Sequence, residues 1–284
     1  MTIGFRIPGA LGRLPLAELA AWAKSEGFAA IDLGSPDAER VAAVRGAGID
    51  VGTIDLSGTR EMLSPDPDVR AKGIATAVGN LEAMAALGAT KAFCTFFPVD
   101  ADQSRKVSFE NWCLSFPEVG TVAAAHGIRF ALEGWPGPKE SALGVTPETL
   151  RAMFAADSTG TLGINYDPSH LIRVGVDHKR FLREFADKVV HAHGKDTRLD
   201  PEGAYLYGHL GPSMDTVVGW GGGDWRYCIP GEGDADWAWI CAELDRVGYT
   251  GHICVELEDY RYCMTVDGEK EGLCRTRDHL KNLL

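Results

Sequence analysis

Four stretches from residue 129 onward each close an alternating run on an acid or a histidine. They are Arg129-Phe130-Ala131-Leu132-Glu133, Leu162-Gly163-Ile164-Asn165-Tyr166-Asp167, Val189-Val190-His191-Ala192-His193 and His252-Ile253-Cys254-Val255-Glu256. In extended backbone successive side chains point to opposite faces, so Glu133 shares a face with Arg129 and Ala131, and Asp167 with Gly163 and Asn165. The same parity aligns His191 with His193, and Cys254 with Glu256 and Glu258. Three carboxylates gathered at one level repel one another and are costly to bury unless a cation neutralises them. A divalent metal held by Glu133, Asp167, His193 and Glu256 resolves that conflict. Three oxygens, one imidazole and no thiolate suit Mn²⁺ first, then Mg²⁺ or Co²⁺, with Zn²⁺ less favoured. Such a site can lower the barrier to removing a weakly acidic C–H beside a carbonyl.

These residues share one level only if their strands are neighbours. Eight apolar strand candidates, Ile3–Ile7, Ala29–Leu33, Asp50–Asp55, Lys91–Phe96, Ile128–Glu133, Leu162–Asp167, Val189–His193 and His252–Leu257, alternate with segments of helical period. The helix candidates are Pro15–Ser25, Pro36–Arg45 behind a capping Ser35, Pro67–Ala86 behind a capping Asp66, and the segments around Phe109–Ala125, Pro147–Ala156, Lys179–Ala186, Trp237–Val247 and Gly268–Leu283. Eight β-then-α units without a linker predict an α/β fold, a single (β/α)₈ TIM barrel over residues 1–284, in preference to an open doubly wound sheet. In such a barrel functional residues sit at the C-terminal ends of strands, where the four stretches end. One segment breaks the rhythm: about 198–233 lacks a strong period but carries Tyr205, Tyr207, Trp220, Trp225 and Tyr227. This extended loop between the seventh strand and its helix is expected to cover the active site.

With 28 Lys plus Arg against 40 Asp plus Glu, the net charge is −12. That disfavours nucleic acid and anionic membrane as partners, since both need clustered cations. The opening MTIGFRIPGALGRL lacks the cationic start and apolar core of a signal peptide, and no run reaches a membrane span. Seven scattered cysteines without a C-x-x-C pair suit reduced thiols. The expectation is a cytoplasmic protein acting on a small molecule.

The ordered set of Glu133 in ALEGWPG, Asp167 and His170 in NYDPSH, the run His191-Ala192-His193-Gly194-Lys195-Asp196, and the closing PGEGDADW…GYTGHICVELED resembles the xylose isomerase-like TIM barrels over nearly the whole chain. That superfamily of sugar phosphate isomerases and epimerases includes ketose 3-epimerases and inosose dehydratases. The resemblance implies a carbohydrate substrate and a Mn²⁺-type ion on Glu133, Asp167, His193 and Glu256. It also implies Glu133 and Glu256 as the proton-moving pair, His170 on a substrate oxygen, and a homo-oligomer, dimer or tetramer. The ketose 3-epimerases carry an arginine shortly after the metal-binding histidine, whereas this chain reads Lys195-Asp196-Thr197-Arg198.

Return of the abstracted proton to the opposite face gives epimerisation, and return to the neighbouring carbon gives aldose–ketose isomerisation. Loss of a β-hydroxyl or a glycosidic group from a keto-sugar, keto-inositol or C-glycoside gives a lyase or dehydratase. Further substrate-binding candidates are Trp135, close enough to Glu133 to wall a pocket, and His191, Lys195, Arg198 and Arg226. Each has a structural alternative: His191 as a satisfied interior histidine, Lys195 as an ion-pair partner of Asp196, the two arginines as solvated loop residues, and Asp167 as a cap for the helix that Pro168 opens. A DNA-cutting apurinic endonuclease needs more histidines and a cationic face. A sugar-binding protein without chemistry would lack a ligand of the four.

Overall fold

The computed structural model describes residues 1–284. Ten strands form: β1 (Thr2–Arg6), β2 (Ala30–Leu33), β3 (Asp50–Asp55), β4 (Lys91–Cys94), β5 (Arg129–Glu133), β6 (Leu162–Tyr166), β7 (Val189–Gly194), β8 (Asp196–Leu199), β9 (Trp225–Cys228) and β10 (His252–Val255). Eight of them close a parallel barrel in the order β1-β10-β7-β6-β5-β4-β3-β2, while β8 and β9 pair antiparallel outside it. All eight strands expected from the apolar runs are present, and the open sheet is ruled out because β1 pairs with both β2 and β10.

Ten α-helices complete the chain: α1 (Leu16–Ser25), α2 (Ala38–Gly46), α3 (Pro67–Ala86), α4 (Arg105–Ala125), α5 (Pro147–Ala156), α6 (Pro168–Arg173), α7 (His178–Phe185), α8 (Pro201–Tyr207), α9 (Trp237–Arg246) and α10 (Val266–Lys281). Asp66 caps α3 as expected, but α2 is capped by Asp37, which accepts the Arg40 N–H, and not by Ser35. Helices are pinned to strands by apolar contact. Trp112 and Phe116 of α4 stack at 4.3 Å, and Phe116 meets Phe130 of β5 at 5.0 Å. Such aromatic pairs each add about 0.5–1.5 kcal/mol beyond burial.

The segment read as a loop over 198–233 is more ordered than its sequence suggests. It starts at Asp196 with β8, continues through α8 and returns by β9, with Asp196 paired to Cys228 and Arg198 to Arg226. No helix of the chain is long and apolar enough to cross a membrane.

Candidate active site

Glu133 is the last residue of β5, Asp167 follows β6, His193 lies near the end of β7, and Glu256 follows β10. Their ligand atoms all lie within 4.8 Å of one another. His193 Nδ1 is 2.7 Å from Glu133 Oε1 and 3.6 Å from Glu256 Oε2, and Phe93 stacks on the ring at 5.3 Å. Asn165 donates to the same Glu133 oxygen at 2.9 Å. Glu256, with 15% of its side chain exposed, is the most accessible of the four.

Asp167 caps the helix that Pro168 opens. Its Oδ1 accepts the Ser169 N–H at 2.8 Å and caps α6, which leaves Oδ2 facing the cluster. That cap holds the first turn of α6, so His170 is carried to the same place: its Nε2 lies 3.5 Å from Glu133 Oε2 and 3.6 Å from Asp167 Oδ2. On the other side of the ring, Nδ1 is 2.8 Å from the Tyr227 hydroxyl, to which Arg173 donates at 3.0 Å.

Lys195 is buried, with its Nζ donating to Glu256 Oε2 and, at 3.0 Å, to Glu258 Oε2. It also lies 3.2 Å from His170 Nε2 and 3.3 Å from Asp167 Oδ2. The ion pair with Asp196 does not form. Side chains alternate along the chain, and Asp196 turns away to accept N–H groups from Thr197, Gly231 and Ala235 and the indole N–H of Trp237.

Burial disfavours every charge here, yet Glu256 and Glu133 outweigh it at His193 and push that imidazole well above its ordinary range. Burial is likewise overcome at Lys195, chiefly by Asp167 and Glu256, and its ammonium is held far above normal. Glu256, buried but facing Lys195 and His193, is held well below the usual carboxylate range. Glu258 goes the other way: burial, only partly offset by Lys195 and reinforced by Glu256, pushes it up. The cluster thus draws positive charge to itself.

His191 is fully enclosed one layer below His193, with Nε2 2.9 Å from Asp32 Oδ2, so the expected substrate contact is corrected to an interior hydrogen bond. Trp135 packs edge-on against Phe97 at 5.0 Å. Arg198 and Arg226 face each other across the hairpin and line a cavity of about 400 Å³ that contains none of the four cluster residues. Neither lines the cavity that Glu256 lines. Several neighbours of the cluster carried no sequence expectation. Arg6, at the end of β1, binds Asp55 through two hydrogen bonds of 2.7 and 2.5 Å and lies 3.5 Å from Glu256 Oε1. Arg6, Trp220, Glu256 and Glu258 line a cavity of about 200 Å³ at the barrel mouth. Inward parity of a charged residue at the end of the first strand was the available signal for Arg6, while Tyr227 was visible only as one aromatic of the segment expected to cover the site.

The four residues fit a divalent cation. Asp167 Oδ2 and both ring nitrogens of His193 are buried without a hydrogen bond, and the donor set of three carboxylates and one imidazole matches a hard to borderline ion.

Among curated relatives, the uncharacterized protein YfiH of Bacillus subtilis (strain 168) is 33% identical over 141 residues, 48% of this chain and 42% of that protein. An inosose dehydratase of Lactiplantibacillus plantarum is 29% identical over 146 residues, 51% of this chain and 45% of that protein. The chain thus spans less than half the length of these two relatives. Among solved structures, D-psicose 3-epimerase from Clostridium cellulolyticum H10 superposes with a TM-score of 0.73 at 18% identity, covering 100% of this chain and 99% of that one. This likeness speaks to fold alone. The family assignment rests on a broader match: the model of the xylose isomerase-like TIM barrel covers residues 17–283, and the chain belongs to that family.

Proposed function

We propose that the protein is a divalent-metal-dependent isomerase or epimerase of a sugar or keto-sugar. The observation that carries this reading is the convergence of Glu133, Asp167, His193 and Glu256 from four strands within 4.8 Å at the C-terminal barrel mouth. These residues would hold the ion, Mn²⁺ first, and when bound it supplies Lewis acidity toward a carbonyl and its adjacent hydroxyl. The remaining work falls to the chain. Glu133 and Glu256 flank His193, so two carboxylates approach the reacting carbon from separate strands. One removes the C–H proton and the other returns it, to the opposite face for epimerisation or to the next carbon for isomerisation. Lys195 holds Glu256 ionised at neutral pH, as a base must be. His170, braced by Tyr227, offers Nε2 to a substrate hydroxyl.

A second reading, a lyase or dehydratase of a keto-sugar, keto-inositol or C-glycoside, has one observation in its favour. Glu258 is a further carboxyl beside the pair, and burial raises its pKa, the direction that a proton donor to a leaving oxygen needs. The inosose dehydratase among the relatives points the same way.

The insertion 196–233 covers the active site in this reading, supported by Trp220 at the cavity wall and Tyr227 against His170. A cytoplasmic location is supported by seven unpaired cysteines. A homo-oligomer, dimer or tetramer, is supported by the exposed Tyr205, Leu210 and Met214 of the insertion.

The test is metal content of the purified protein, then incubation with Mn²⁺ and ketoses, keto-inositols and 3-keto-glycosides in D₂O, read by NMR. Deuterium entering a substrate C–H supports proton abstraction, and the product separates isomerase from lyase. No bound metal and no exchange with any substrate would remove the reading.

A further inference from the structure

Beneath the cluster lies a carboxylate that the reaction does not use. Asp32, at the third position of β2, is fully enclosed, and burial of an ionised carboxylate is unfavourable unless its oxygens are engaged. Its Oδ1 accepts the Thr53 N–H at 2.8 Å and its Oδ2 meets His191 Nε2 at 2.9 Å. The second histidine faces the same oxygen by charge and not through a hydrogen bond: His193 Nε2 lies 3.6 Å from Asp32 Oδ2 and has no hydrogen-bond partner. Room for the carboxylate comes from Gly52, where a Cβ would stand 2.2 Å from Asp32 Oδ1. Phe93 closes one face of His193, so the ring is held by its face and aimed by its edge.

Resting on the metal reading above, we propose that Asp32 is the positioning residue of the site: it keeps the His193 proton on Nε2 and so leaves Nδ1, which faces Glu133 and Glu256, free as the ligating atom. An imidazole needs one nitrogen bare to bind a metal, and negative charge held beside the other nitrogen favours its proton there. Without that charge near Nε2, the carboxylates beside Nδ1 would draw the proton to the ligating side. Asp32, His191 and Cys254 are also close enough together to hold an ion of their own. Both Asp32 oxygens are already engaged, and that favours the positioning role.

Asp32→Asn keeps the shape and inverts the polarity. If its oxygen stays on the Thr53 N–H, its amide NH₂ faces the two histidines and favours the Nδ1–H form of His193. If it flips, the NH₂ opposes the Thr53 N–H. The experiment is calorimetric titration of full-length wild type and Asp32→Asn with Mn²⁺, beside a thermal melt of each metal-free protein. It is joined by ¹⁵N-histidine NMR of the wild type loaded with diamagnetic Mg²⁺. We expect one ion per wild-type chain, His193 protonated at Nε2, and affinity about 10–100-fold weaker in a folded Asp32→Asn. A folded Asp32→Asn with unchanged affinity, or a wild-type His193 protonated at Nδ1, overturns the positioning role and leaves the metal site standing. If the variant does not fold, the wild-type tautomer decides. Two ions per chain would make Asp32 a ligand and overturn the inference. No ion bound to wild type would overturn the metal reading and this inference with it.

Discussion

The Tyr227 hydroxyl lies 2.8 Å from His170 Nδ1 although the two residues are 57 positions apart, one on the hairpin outside the barrel and one in the short helix after β6. Burial pushes this phenol up to about 12, with Lys195 and Arg173 pulling against it, so it stays neutral across the physiological range. Tyr227→Phe keeps the ring and removes the oxygen from both His170 and Arg173. Loss of a buried partner costs about 1–3 kcal/mol. Steady-state kinetics should show kcat/KM down about tenfold or more, with a cooperative melt retained.

Glu256→Gln and Glu133→Gln should each keep the barrel and lose proton transfer, which is worth about 10²–10⁴ in rate. Deuterium uptake by substrate in D₂O is the readout. Near-normal uptake in either variant would take that glutamate out of the proton path.

Lys195→Met removes a buried ammonium from among Asp167, Glu256 and Glu258. Breaking a buried pair on one side costs about 3–5 kcal/mol. The variant should melt well below wild type in EDTA and recover much of the difference with Mn²⁺, since a second cation then serves the same carboxylates. Equal melting of the two proteins in EDTA would show that the ammonium is not needed for charge balance.

Glu258 carries a pH dependence of stability. Burial, with Glu256 beside it, raises its folded pKa above the ordinary 4.5. The folded state therefore keeps a proton where the unfolded chain has lost it, and stability from this group falls as pH rises above about 4.5. Glu258→Gln should flatten that part of the curve in thermal melts across pH. If the lyase reading holds, the variant should retain C–H exchange while losing release of water or aglycone.

Arg226→Ala tests the placement of the hairpin arginines. Arg226 packs over Tyr260 with its guanidinium carbon 5.8 Å from the ring centre, away from the carboxylate cluster. KM should change less than about twofold, the size of a typical surface effect. A large rise in KM would mean that the hairpin moves over the site.

The barrel was legible because every strand is a short apolar run bounded by helical segments, and the acid at each strand end had to share a face with its neighbours. Glu133, Asp167, His193 and Glu256 could be read together for that reason. Asp32 was not legible, because a single acid in Ala-Ala-Ile-Asp-Leu looks like any buried parallel strand until His191 and His193 are seen above it. The hairpin escaped for another reason: β8 and β9 are four residues each and separated by residues 200–224, so no local turn signal marks their pairing. Lys195 and Asp196 adjoin in sequence but point to opposite sides, an outcome that adjacency in extended backbone favours and that an ion-pair reading overlooks.

The two oxygens of Asp167 act on different objects, one on the backbone of α6 and the other on the carboxylate cluster. The first turn of that helix is therefore a ruler between the cluster and His170. One residue inserted between Asp167 and His170 would rotate the imidazole about 100° around the helix axis, away from Glu133, with every side chain of the cluster unchanged. Spacing along this single turn, and not the identity of its residues alone, decides whether the His170 imidazole reaches the carboxylate cluster.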